Sequence, residues 1–322
     1  MKAAVLFEPA APPRYTDVPV PTPGNPNEVL IQVKAAAIKN IDRSVSSGSH
    51  YSSHSASSKG RGIGSDAVGL LADGTPVYGV GQGTVAEQAI VRKDLLVKLP
   101  ENLDYAVAAA LPNAVMGSAM GLLFRANMHA GETVLINGAT GVTGRIAVQL
   151  AKYYGAGKVV ATGRDAAALE SLRALGADEL VPLRQTDEAL LENFRQIHAH
   201  SPIDVVIDYL WGRPAELLLD TLKGDGMFTH RTRFISVGSM AGESIQLPAS
   251  ILRSVDLQLS GSGLGSWTTE DVAVLFNKIL PETFRLAAEG KLIIDVRTVA
   301  LKSIEDTYDQ SLPGGERLVV VI

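Results

Sequence analysis

Apolar residues fall into two textures along this chain. From Met1 to about Val97 they come as short β-branched runs between Pro, Gly and Asn clusters, as in Val29–Val33 and Thr84–Val91, so this part reads as mostly β. From Thr133 the runs alternate in length and period. Thr133–Asn137, Lys158–Thr162 and Glu179–Pro182 read as strands, with helices over Val142–Tyr154 and Ala166–Leu175 between them. Ile203–Asp208, Arg233–Gly238 and Leu257–Ser260 continue the strand series. Strands alternating with helices imply βαβ units and a parallel sheet. Thr269–Glu289 reads as a helix, and Asp295–Ala300 and Arg317–Ile322 as short strands that return to the β-rich first part. Ser44–Lys59 is Ser-rich, has no period and reads as a loop.

With 322 residues, 46% of them hydrophobic, the chain can bury a core of one or two domains. Met1–Phe7 is too short for a signal segment, and the apolar stretch Ala106–Met120 is interrupted by Pro112, Asn113 and Gly117. The expectation is a cytoplasmic protein without a membrane partner. A formal net charge of -5 offers no basic face for nucleic acid. The absence of cysteine removes disulfides, thiolate nucleophiles and thiolate zinc sites together.

The strongest local signal is the strand Val134–Asn137 followed by Gly138-Ala139-Thr140-Gly141-Val142-Thr143-Gly144 and an amphipathic helix. Glycines there allow a sharp turn and let backbone N–H groups approach a pyrophosphate, whose charge the helix N-terminus stabilises. Dinucleotide binding is the expectation, against a plain βα turn. The second strand then ends Thr162-Gly163-Arg164-Asp165, without the carboxylate that an NAD ribose uses. Gly163 leaves room for a 2′-phosphate and Arg164 can pair with it, which favours NADPH. The plainer alternative makes Arg164 a surface cation and Asp165 the N-cap of the next helix.

These motifs resemble the medium-chain dehydrogenase/reductase superfamily, and specifically its zinc-free quinone-oxidoreductase-like branch. The resemblance spans nearly the whole chain, through Asn27–Ala36, Gly64–Gly69, Gly83–Glu87, Leu99-Pro100, Ala108–Pro112, Gly131–Ile136, Gly138–Gly141, Val148–Lys152 and Leu175–Asp178. It implies an α/β protein with a chaperonin-10-like β-barrel domain, 1–114 and 270–322, and a doubly wound Rossmann domain, 115–269. It further implies a homodimer through the Rossmann edge strand, and cofactor contacts near Val237, Gly238, Gly261, Ser262 and Gly263, while Asp208-Tyr209, ending a strand, reads either as a border of the adenine or ribose or as a plain turn. In zinc-dependent relatives a Cys aligns with Lys39 and a His with Ser65, so no metal is expected here.

Without a Lewis acid, conjugated acceptors are the easier substrates, because hydride addition spreads the resulting charge over an enolate or hydroquinone. A quinone or α,β-unsaturated carbonyl is therefore expected. An alcohol or aldehyde oxidoreductase and a non-catalytic NADPH-binding sensor stand as alternatives. Tyr51 is the first candidate donor to the substrate oxygen, and Lys39 or Asn40 takes the place where related reductases carry Asn. Lys39 reads equally well as a solvated turn residue, with Asp42 in reach as a partner. Asn113 reads either as a nicotinamide contact or as a helix N-cap.

Overall fold

The computed structural model describes residues 1–9, 11–47, 60–224, 229–310 and 312–322. Within them the chain divides into two units, Met1–Asn113 with Ala273–Ile322, and Ala114–Val272.

The first unit begins with strands β1 (Lys2–Leu6), β2 (Arg14–Asp17) and β3 (Glu28–Ile38), then helix α1 (Asn40–Ser47). Strands β4 (Arg61–Gly62), β5 (Asp66–Leu70), β6 (Pro76–Val80), β7 (Gln88–Arg92) and β8 (Val97–Lys98) follow. β1 lies between β2 and β4 in a small antiparallel sheet. The long β3 organises a larger one, pairing antiparallel with β7 along its first half and with β5 along its second. Its inward Ile31, Val33, Ala36 and Ile38 build the core of this unit with Val77, Val91 and Leu318.

Two expectations change here. The run Thr84–Val91 becomes strand only from Gln88. Its first residues bond elsewhere: Thr84 Oγ1 donates to Asp66 O at 2.8 Å, Val85 N donates to Ile63 O at 3.1 Å, and Ala86 bridges to Ala3. Of the expected Ser44–Lys59 loop, Ser44–Ser47 finishes α1.

Helix α2 (Tyr105–Ala119) contains Pro112 and continues as a π-helical turn over Met120–Arg125. The residues Pro112, Asn113 and Gly117, which interrupt the apolar run, all lie within this helix. By length and composition the Tyr105–Arg125 helix could cross a membrane, yet 67% of its most apolar window is buried within the protein, as in a core helix. Asn113 lies inside α2 and so is not its N-cap.

The second unit holds strands β9 (Thr133–Asn137), β10 (Lys158–Gly163), β11 (Glu179–Pro182), β12 (Val205–Asp208), β13 (Thr232–Ser236) and β14 (Leu257–Gly261). All are parallel, in the order β11-β10-β9-β12-β13-β14. Helices α3 (Val142–Tyr153), α4 (Ala166–Glu170), α5 (Asp187–His200), α6 (Gly212–Thr221) and α7 (Ala249–Ser254) provide most of the crossovers. β9 and β12 are buried at every position, which explains their unbroken apolar runs. Because the strands are parallel, all their C-terminal ends lie on one edge, where ligands of such sheets bind.

The chain returns through α8 (Thr269–Val274), a π-helical turn over Leu275–Ile279, and α9 (Leu280–Ala288). β15 (Asp295–Ala300) then runs parallel to β16 (Glu316–Val321), and β16 pairs antiparallel with β3. The C-terminal strands thus join the sheet built on β3.

Candidate functional site

The turn between β9 and α3 has the form its glycines require. Gly138 adopts φ +87°, a conformation that a side chain would strain. A Cβ on Gly144 would stand 2.6 Å from Ala139 Cα and from Gly138 O, so α3 starts pressed against the turn. Gly141, which has no side chain to offer as a cap, occupies the N-cap of α3. The first backbone N–H groups of the helix and its dipole are therefore free to meet an anion. This donor set fits the pyrophosphate of a dinucleotide.

At the end of β10, Gly163 is buried and Arg164 exposed. Asp165 accepts a hydrogen bond from Ala168 N at 2.8 Å and caps α4. One oxygen of the exposed carboxylate beside Arg164 is thereby engaged by a helix, and the guanidinium is exposed next to it at this strand end.

The remaining expected cofactor positions lie at the same sheet edge. Val237 and Gly238 follow β13, and their N–H groups donate to Asp208 O at 2.7 and 3.2 Å. Gly261 ends β14 and its carbonyl accepts from Arg125 Nε at 2.8 Å, while Ser262 Oγ accepts from Trp267 Nε1 at 3.1 Å. Tyr209 is different. Its ring is buried and its hydroxyl donates to Gly117 O at 2.9 Å, with burial followed by the Asp208 charge pushing its pKa up. That hydroxyl is spent on α2, so only the backbone of Tyr209 remains to border a ligand.

A second constellation lies wholly within the first unit. Lys39 precedes α1 and its N–H donates to Asp42 Oδ2 at 2.9 Å, the third-residue return of a helix N-terminus. Its side chain is 1% exposed. The ammonium bonds Ser65 Oγ at 3.0 Å, forms a tight ion pair with Asp66, and lies 3.5 Å from Asp42 Oδ2. Tyr78, also buried, donates to the other Asp66 oxygen at 2.9 Å. Burial disfavours the Lys39 charge, but Asp42 and Asp66 outweigh it and hold the pKa above its ordinary value. Lys39 is thus neither a solvated turn residue nor a free donor: its ammonium is hydrogen-bonded to Ser65 and Asp66 and lies in an ion pair with Asp42. Nearby, buried Arg317 donates to Asn113 Oδ1 at 3.2 Å, and burial lowers its pKa to about 10.

Asn40 is exposed at the start of α1. Tyr51, like His50 and His54, lies outside the described residues. Among the described residues no group of three or more His, Cys, Asp or Glu could hold a metal ion. Sequence reasoning found Asp42 as a partner for Lys39 but missed Asp66. It also missed Asn137 and Thr162, whose only signal was a polar residue closing an apolar strand.

Residues 142–279 match the family model described as zinc-binding dehydrogenase. A probable NADPH-dependent quinone reductase of Emericella nidulans is 26% identical over 96% of this chain and 96% of its own length. The quinone oxidoreductase of Sus scrofa is 31% identical over 70% of this chain and 68% of that protein. This chain belongs to the quinone-oxidoreductase-like branch of the medium-chain dehydrogenase/reductase superfamily. A crystal structure of a probable oxidoreductase from Mycobacterium abscessus shares the superfamily fold, with a TM-score of 0.80 and 25% identity across 100% of this chain and 99% of that one. The family match begins at Val142, inside the glycine turn, and ends at Ile279, so Gly138–Gly141, Lys39 and Ser65 lie outside it.

Proposed function

We propose that this chain is an NADPH-dependent oxidoreductase that passes hydride to a quinone or an α,β-unsaturated carbonyl. The observation that carries the reading is the end of β10, where exposed Arg164 follows buried Gly163 and the adjacent carboxylate is committed to capping α4. A guanidinium there pairs with a 2′-phosphate, and the position that carries the ribose-binding acid in NAD sites is not an acid here. The segment Gly138-Ala139-Thr140-Gly141-Val142-Thr143-Gly144 would hold the pyrophosphate. Val237, Gly238, Gly261, Ser262 and Gly263 would border the rest of the cofactor, which supplies the hydride.

Zinc-free chemistry is part of this proposal, and it rests on the residues present. The two positions that carry Cys and His in zinc-dependent relatives are joined here as an ammonium and a hydroxyl, and a buried cation repels a second one. The acceptor must then spread its own negative charge, as a quinone or enone does. Tyr51 is the proposed donor to the substrate oxygen, and Asn40 is proposed to take the role of the Asn found in related reductases. Lys39 serves by anchoring the start of α1. We place the protein in the cytoplasm as a homodimer paired through β14, which ends the sheet order with β13 as its one described partner.

The test is NADPH oxidation with phenanthrenequinone, a simple quinone and an enone, with NADH run beside each. Turnover that prefers NADPH supports the reading. Tight NADPH binding without turnover on any acceptor overturns it in favour of a sensor.

A further inference from the structure

Three polar side chains, Asn137, Thr162 and Asp208, close the adjacent strands β9, β10 and β12, and each is fully buried. Burying such groups is costly unless their hydrogen bonds are made. They make them with one another and with two turns. Gly138 N donates to Thr162 Oγ1 at 2.9 Å, Thr162 Oγ1 donates to Asn137 Oδ1 at 2.7 Å, and Asn137 Nδ2 donates to Asp208 Oδ1 at 2.8 Å. Beyond it, Leu210 N donates to Asp208 Oδ1 at 3.0 Å and Trp211 N to Asp208 Oδ2 at 3.0 Å.

The chain of bonds has one direction. A hydroxyl that accepts from Gly138 N must send its proton to Asn137, and this aims the Asn137 amide nitrogen at the carboxylate. Asp208 is therefore the common acceptor for the glycine turn, through two relays, and for the Leu210-Trp211 turn directly. That second turn is strained, with Trp211 at φ +56°. It also packs on the first: a Cβ on Gly138 would stand 2.9 Å from Leu210 Cδ2. The backbone oxygen of Asp208 additionally accepts from Val237 and Gly238.

We propose that Asp208 is a positioning residue for the cofactor, holding the glycine turn and the Leu210-Trp211 turn in register through Asn137 and Thr162. It touches no reacting atom. The proposal rests on the reading of the glycine turn as the NADPH site, and it predicts that distant members of the relay act as a unit.

The experiment is a cycle of NADPH dissociation constants for the wild type, Asp208→Asn, Thr162→Val and the double variant. An amide at 208 leaves one acceptor oxygen for three donors, and valine at 162 removes both hydroxyl bonds. Each single change is expected to weaken NADPH binding about tenfold, and the double change no more than about tenfold, because the second removes what the first has already broken. Thr162→Ser keeps the hydroxyl and should stay within about twofold of the wild type. Multiplying effects near a hundredfold, or a single variant that binds like the wild type, would overturn the proposal.

Failure of the underlying reading looks different: the wild type itself would not bind NADPH. In that event amide hydrogen exchange decides. Faster exchange at Gly138 in Asp208→Asn, across 70 residues of sequence, supports the relay, and unchanged exchange there rejects it.

Discussion

The Lys39 ammonium stands 3.0 Å from the Ser65 hydroxyl. Both lie in the first unit, and Asp66 and Asp42 supply two carboxylates to the one buried cation. Arg317 adds a second cation whose charge both carboxylates favour. The cluster is neutral in sum. Its worth is best seen by what its loss would expose.

Lys39→Met removes the cation and leaves Asp42 and Asp66 buried with less compensation. Breaking one side of a buried pair costs about 3–5 kcal/mol. Urea unfolding should show the midpoint falling with its slope unchanged. A loss below about 1 kcal/mol would instead class the pair with surface ion pairs.

Arg164→Ala should raise the KM for NADPH while leaving that for NADH near its starting value. A charge-assisted bond is worth about 1.5–3 kcal/mol, which corresponds to a change of about ten- to a hundredfold. Parallel titrations with both nucleotides check it. Equal effects on the two would show that Arg164 does not read the 2′-phosphate.

Gly144→Ala places a methyl group against backbone rather than against a side chain that can swing away. The first turn of α3 would have to shift, at a cost of about 1–3 kcal/mol. The expected result is a lower unfolding midpoint together with weakened NADPH binding. Gly265→Ala, where an added Cβ meets nothing within 4 Å, is the control.

What could be read from sequence followed the range of the interactions. β9, β10 and β12 are legible because the middles of buried parallel strands are apolar on both faces, and the glycine turn because its conformational demands are local. Thr84 was misassigned because it bonds to Asp66, 18 residues away. Asn113 offers itself as a helix N-cap in local sequence, although α2 already begins at Tyr105. Lys39 met its main partner across 27 residues and Asn137 met Asp208 across 71. No window of local pattern contains such pairs.

Asp208 also makes a prediction about pH. Burial pushes its pKa up to about 6, against the opposing effect of donors on Leu210, Asn137 and Trp211. In the unfolded chain an Asp titrates near 3.9, so the native state holds a proton between about pH 4 and 6 that the unfolded state has already lost. Stability from this group is therefore fully present below that window and falls as pH rises through it, by about 3 kcal/mol for a shift of about two pKa units. Asp208→Asn cannot titrate. The stability of the variant relative to the wild type should accordingly rise by up to about 3 kcal/mol between about pH 4 and 6.5, on top of the constant cost of its lost acceptor. Urea unfolding of both proteins across this range measures the difference, in which the carboxylates they share cancel. Parallel curves would mean that Asp208 ionises in the folded protein as easily as in the unfolded chain, and that its three donors fully offset its burial.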